Sequence, residues 1–244
     1  MERVKGQAGM SLVEATIILL VLMLLTGVLA PSIFDYVRDA QMVKVKEDCE
    51  AIGLSVVRLT RDVGPCLKVD APLACTMVNR VEILVSRGPA LTAGDVTATP
   101  YTSPDMGGVN WDASVAPTIG DSMENQFTTN APVYPTPGVL GTWNHTFPSV
   151  GLGWRGVYLA SPIGPDPWGM PYLVNSHFLA VASNAPAGTG EGQRNGGWDR
   201  DVFCLSAGPN KLFETPYAVA GLAATAGTYR GNDDFTYVIS GDTR

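Results

Sequence analysis

The chain has 244 residues, with 23 acidic and 16 basic side chains and a net charge of −7. An acidic chain without a basic stripe excludes nucleic acid as the main partner. Charged residues make up only 16% and apolar ones 45%, alongside 27 glycines and 18 prolines, so the composition indicates one loop-rich domain with a core rather than a disordered chain.

Arg3 and Lys5 lead into Ala15–Phe34, twenty consecutive residues without a formal charge. At about 1.5 Å per residue, such a helix spans roughly the 30 Å hydrocarbon core of a bilayer. The basic residues ahead of it predict a cytoplasmic N-terminus and an exported remainder. A cleaved secretory signal fits poorly, because the run exceeds the usual apolar stretch of about 7–15 residues. It also ends in Pro31-Ser32-Ile33-Phe34 instead of an A-x-A-like site. A plain signal anchor leaves Glu14 unexplained, since a carboxylate in a membrane helix costs roughly 2.5–3.5 kcal/mol and marks a partner or a function. A cut after Gly9 would place the new α-amine of Met10 one helical turn from Glu14. That amine neutralises the carboxylate, within one chain or on a neighbouring copy.

Gly9, Met10 and Glu14 (the fifth residue after the glycine), the apolar run and Pro31 resemble the N-terminus of type IV pilins and type II secretion pseudopilins. The resemblance implies that a prepilin peptidase removes residues 1–9 and that the Met10 amine is methylated. It further implies that Glu14 and Pro31 belong to an assembly helix. Methionine at the first mature position departs from the phenylalanine commoner there.

Beyond Pro31 the helical pattern continues and becomes amphipathic. Ile33, Val37, Ala40, Val45, Cys49, Ile52, Val56, Leu59 and Val63 recur at spacings of mostly three and four, with charged residues between them. A helix from Met10 to Arg61 would be about 75 Å long. Pro31 is expected to weaken or kink it, and Gly64-Pro65 to end it.

Cys49, Cys66, Cys75 and Cys204 lie in the part expected to be exported, where the compartment is oxidising. Three pairings are possible and the sequence does not choose among them. Cys66 with Cys75, across the short loop containing Pro72, is preferred, and Cys49 with Cys204 would then tie the helix to the sheet. Strands are expected at Arg80–Ser86, Tyr172–Val174, Phe178–Ala182, Asp201–Ser206 and Phe235–Ser240, with Asn175-Ser176 as a hairpin turn. Residues 88–153, rich in Pro, Gly, Thr, Ser and Asn, read as a long surface excursion with at most one short element. Within it, Asn144-His145-Thr146 fits the N-glycosylation pattern.

Two motifs narrow the resemblance. Trp154-Arg155-Gly156-Val157-Tyr158-Leu159 followed by Asp166-Pro167-Trp168-Gly169-Met170-Pro171-Tyr172 is similar to the major pseudopilin of type II secretion. That family holds a calcium ion between two C-terminal loops. The resemblance carries this role onto Ser206, Asn210, Asp233 and Asp234, with backbone carbonyls completing the shell. The chain departs from the family pattern in lacking the first loop's Asp, having Asn210 nearby instead, and in inserting residues 213–229.

No enzyme is expected. His145 and His177 have no metal-ligand spacing, and no nucleophile elbow or phosphate-binding glycine motif is present. The expected fold is α+β of the type IV pilin-like kind: a long N-terminal helix packed on a small antiparallel sheet in a loop-rich head. Its parts are a leader (1–9), a transmembrane or filament-core half-helix (10–34), an amphipathic half-helix (35–64) and a β-rich head (65–244). The expected function is that of a structural subunit of a type II secretion pseudopilus or related filament. It sits in the inner membrane with its head in the periplasm, then polymerises into a periplasmic or cell-surface filament. Expected partners are further copies of the chain, the prepilin peptidase, other pilins or pseudopilins and the inner-membrane assembly platform. The alternatives are a type IV pilus subunit for adhesion, motility or DNA uptake, and a membrane-anchored periplasmic binding module.

Overall fold

The computed structural model describes residues 11–63, 83–88, 95–96, 101–103, 107–109, 111, 120–130, 154–179, 201–217, 229–230 and 233–240. Gly9, Met10, Gly64-Pro65, Cys66, Cys75 and Asn144-His145-Thr146 fall outside them. The architecture is α+β. Among the described residues one α-helix, α1 (Leu12–Val63), accompanies a six-stranded sheet and a two-stranded ribbon. Residues up to Val43 and residues from Lys44 onward form two separate compact units.

In the first unit α1 is apolar on every side from Ala15 to Phe34. An 18-residue window reaches a mean hydropathy of 2.6, with none of its side chains buried, so the helix is long and apolar enough to cross a membrane. Three of its hydroxyls are satisfied locally. Thr16, Thr26 and Ser32 donate to the carbonyls of Val13, Leu22 and Leu29, each at 2.8 Å, which removes free donors from an apolar surface. The helix runs through Pro31 without ending. Proline has no amide to give the Gly27 carbonyl one turn back, so the weakening expected there is confined to a missing bond rather than a break.

From Lys44 the same helix belongs to the head, and only one stripe is buried. Val45, Cys49, Ile52, Val56 and Leu59 have no exposed surface, at alternating spacings of four and three, the period that keeps side chains on one face. Gly53 brings the helix against β8, where an added Cβ would meet the Tyr237 ring at 3.2 Å.

The sheet contains β1 (Ile83–Val85), β4 (Gly120–Ser122), β5 (Leu173–Val174), β6 (Val202–Ser206), β7 (Tyr229–Arg230) and β8 (Asp234–Ser240). Its order is β4-β1-β5-β6-β8-β7. Every pairing is antiparallel except β1 with β4, which run parallel at the edge. That pair departs from the purely antiparallel sheet expected, because the excursion after β1 has length enough to return the chain in the same direction.

Two other expectations need correction. Residues 88–153 hold more order than one element, since their described parts include the ribbon β2 (Tyr101–Ser103) and β3 (Gly107–Val109), strand β4 and a π-helical turn, Asn125–Thr129. Trp111 in the same region is fully buried, edge-on to Phe203 and Tyr217. Aromatic anchoring overrides the coil-like composition there. Asn175-Ser176 makes no hairpin, and a 3-10 turn, Ser176–Leu179, stands where a strand from Phe178 was expected. The reason is the buried Asn175 amide. It donates to the carbonyls of Asp201 (2.9 Å) and Tyr217 (3.0 Å) and accepts the Phe203 amide (2.8 Å). It is used as a bracket inside the core, and β5 pairs with the distant β6 instead.

Candidate functional site

The first feature with chemical content is the start of α1. Glu14 is exposed among Leu12, Val13, Ile17 and Ile18, whose surfaces are also open. One carboxylate thus stands on an otherwise apolar cylinder. Pro31 lies further along the same exposed stretch.

The second lies at the C-terminal loops, and the two tryptophan motifs frame it. Trp154 donates its indole N–H to the Gln126 carbonyl at 3.0 Å and packs edge-on against Tyr158. Tyr158 in turn donates its hydroxyl to Asp62 on α1 at 3.1 Å, and its carbonyl accepts from Ser55. This segment therefore clamps the π-helical turn to the helix. The D-P-W-G segment is a tight turn closed by its own acid: Asp166 Oδ1 accepts the amides of Trp168 (3.1 Å) and Met170 (2.8 Å), while Gly169 takes a φ of 95°. Its Oδ2 accepts the Ser206 hydroxyl at 2.7 Å. Burial pushes the Asp166 carboxyl up, opposed by these hydrogen bonds, first that of Ser206.

Gly208 to Lys211 then form a turn at the end of β6. Gly208 and Lys211 both have positive φ, 68° and 63°, and the Lys211 amide donates to the Gly208 carbonyl. Glycine is required at 208 because a Cβ there would lie 2.3 Å from the Asp233 carbonyl oxygen. This close approach brings the 206–214 loop against the start of β8. Asn210 donates its backbone amide to Asp233 Oδ2 at 2.8 Å and its side-chain amide to Glu214 Oε2 at 3.3 Å. Asp234 Oδ2 accepts the amides of Glu214 (2.8 Å) and Thr215 (2.6 Å).

Glu214, Asp233 and Asp234 each offer a carboxylate oxygen, and these oxygens lie within 4.8 Å of one another. Two carboxylate oxygens, Asp233 Oδ1 and Asp234 Oδ1, are buried without a hydrogen-bond partner. Burial pushes the Asp234 carboxyl up to about 6, with the nearby Glu214 charge adding to it and the donated amides opposing. Hard oxygen donors, two of them orphaned, fit a hard cation such as calcium, which takes about six to eight oxygens at roughly 2.3–2.6 Å.

Of the four residues expected to hold a metal, the fold brings Asp233 and Asp234 together with Asn210 beside them. Ser206 has its proton committed to Asp166. Glu214 is the member that sequence reading missed. It lies inside the insertion, and its only signal was an acid four residues after Asn210. Cys49 and Cys204 face each other in the core with sulfurs 2.8 Å apart, while Cys66 and Cys75 lie outside the described residues. No family model, curated protein or solved structure matches the chain.

Proposed function

We propose that this chain is a structural subunit of a pilin-like filament, nearest in its motifs to the major pseudopilin of type II secretion. The observation that carries this reading is the division of α1. Its first part, as far as Phe34, exposes apolar side chains all round with one carboxylate, Glu14, and its second part, from Lys44, buries a single stripe in a folded head. A soluble enzyme or binding domain has no use for an apolar helical surface with a lone acid, whereas a subunit that leaves a bilayer to enter a helical core does.

In this reading the apolar helix holds the subunit in the inner membrane, head outward, until the peptidase cuts after Gly9. Subunits then stack helix against helix, and Glu14 meets the Met10 amine of an adjacent copy. Pairing offsets the desolvation of both charges, whereas either alone would be costly to bury. The Glu214, Asp233 and Asp234 cluster holds calcium and pins the 206–214 loop to β8.

The N-terminal residue of the mature protein tests the reading. Mass spectrometry of protein from its native membrane is expected to find methylated Met10. An intact Met1 would support a membrane-anchored binding module instead. Loss of enzyme secretion in a deletion strain separates a pseudopilus from a pilus used for adhesion, motility or DNA uptake.

A further inference from the structure

Cys49 projects from the buried stripe of α1 and Cys204 from the middle of β6, a central strand of the sheet. They are separated by 155 positions in the chain, yet their sulfurs lie 2.8 Å apart and neither side chain has exposed surface. Both are free thiols in this structure. A disulfide requires about 2.05 Å between sulfurs, so closing the bond asks for an approach of under about 1 Å. Main-chain pairing fixes the β6 side, where Cys204 is registered against Val174 on one flank and Tyr237 on the other. The helix side is fixed by Val45, Ile52 and Val56, which are also fully buried.

We propose that Cys49 and Cys204 form a buried disulfide that staples α1 to the centre of the sheet, and that it closes while the head is folding rather than afterwards. The timing follows from burial. A thiol must be a thiolate to attack a disulfide, and in the folded head neither sulfur can be reached from solvent. Desolvation also pushes the Cys49 thiol well up. The oxidant is a disulfide-bearing exchange partner of the exported compartment. One cysteine thiolate attacks a sulfur of that disulfide, forms a mixed disulfide and expels the partner's first thiolate. The second cysteine thiolate then attacks the mixed disulfide, forming the Cys49–Cys204 bond and expelling the partner's second thiolate. The two thiol protons pass to the expelled thiolates, and two electrons pass from the cysteine pair to the oxidant. This inference rests on the exported head of the proposed function for its oxidant but not for its geometry.

Peptide mapping of the full-length protein in detergent tests both parts. The protein is refolded in mixed reduced and oxidised glutathione, alkylated in denaturant and digested with trypsin. The expected product is peptide 47–58 joined to peptide 201–211, two hydrogens lighter than their sum and separated by reductant. Reductant is also expected to lower the urea midpoint of the wild type by clearly more than that of a Cys49→Ala/Cys204→Ala variant, which retains Cys66 and Cys75. Alkylation of both cysteines, or linkage of either to Cys66 or Cys75, would overturn the pairing. An unchanged wild-type midpoint would overturn the staple. Adding the oxidant only after the head has folded is expected to leave both thiols free, and rapid closure then would overturn the timing. Protein trapped with acid directly from cells is expected to carry the link. A link that forms in glutathione but is missing from cells would leave the pairing standing and overturn the exported head.

Discussion

Tyr172, fully buried next to β5, donates its hydroxyl to Asp48 Oδ2 on α1 at 2.9 Å. Asp48 is held from the other side by Lys44, one turn earlier, through both carboxylate oxygens at 2.9 Å. Burial first, and then the neighbouring Asp48 charge, push the Tyr172 phenol well above its ordinary value, so it stays a donor at any physiological pH. Together with the Tyr158–Asp62 bond further along the helix, it sets how α1 lies on the head.

Tyr172→Phe removes this donor and keeps the ring. A hydrogen bond to a charged acceptor contributes about 1.5–3 kcal/mol. The lower end applies here, because Asp48 retains Lys44 and partial access to water. Thermal unfolding is expected about 3–6 °C below wild type for a domain of this size. An unchanged transition would mean that the contact contributes nothing to fixing the helix.

Gly208→Ala tests the approach of the 206–214 loop to β8. The new Cβ meets the Asp233 carbonyl at 2.3 Å in a backbone conformation with φ of 68°, and strain of this kind costs on the order of 1–3 kcal/mol. The head is expected to lose stability and to bind calcium less tightly, since the loop that carries Asn210 and Glu214 must move. Retention of both properties would show that the loop is not held as described.

The raised Asp234 carboxyl makes a signed prediction for the metal-free head. Its folded value is about 6, against an ordinary value of 3.8. Between those pH values the folded state keeps a proton that the unfolded state has released. Stability from this group is therefore present below about 4 and is lost as pH rises through 6. Asp166 is shifted the same way. The full effect of Asp234 is at most on the order of 3 kcal/mol. In chelator, Asp234→Asn is expected to stabilise the head at pH 7 and to flatten its pH dependence between 4 and 6. A calcium ion favours the ionised carboxylates, so millimolar calcium is expected to raise the melting temperature at pH 7.5 and to do so less at pH 5. Melting curves superimposed with and without calcium at pH 7.5 would remove the metal from the proposal.

Glu14→Ala leaves the head untouched, because the residue lies in the unit that ends at Val43. Filament assembly is expected to be abolished or greatly slowed while the circular dichroism and melting of the head stay at wild-type values. Filament yield equal to wild type would detach Glu14 from assembly.

The Cys49–Cys204 staple closes a long loop, and the chain-entropy account assigns such a loop about 5 kcal/mol. Its loss on reduction is therefore expected to exceed the loss in Tyr172→Phe by more than a factor of two, as urea titrations of the two samples would show.

Composition and periodicity by themselves determined the helix. Its bounds differ from the expected ones by two residues at each end, because an unbroken apolar run and a stripe at spacings of three and four are both local properties of the chain. Strands β5, β6 and β8 lie within one residue of where their apolar patterns placed them, and β1 lies inside the expected 80–86 segment. Tertiary structure alone decided the parallel edge strand, the Asn175 bracket and the burial of Trp111, each of which depends on a partner at least 25 residues away. It also decided the acidic cluster. Asp233 and Asp234 are adjacent in sequence, but Glu214 joins them only because Gly208 turns the chain back upon β8. Proximity across such distances follows from how the sheet folds, and no local pattern of residue types encodes it.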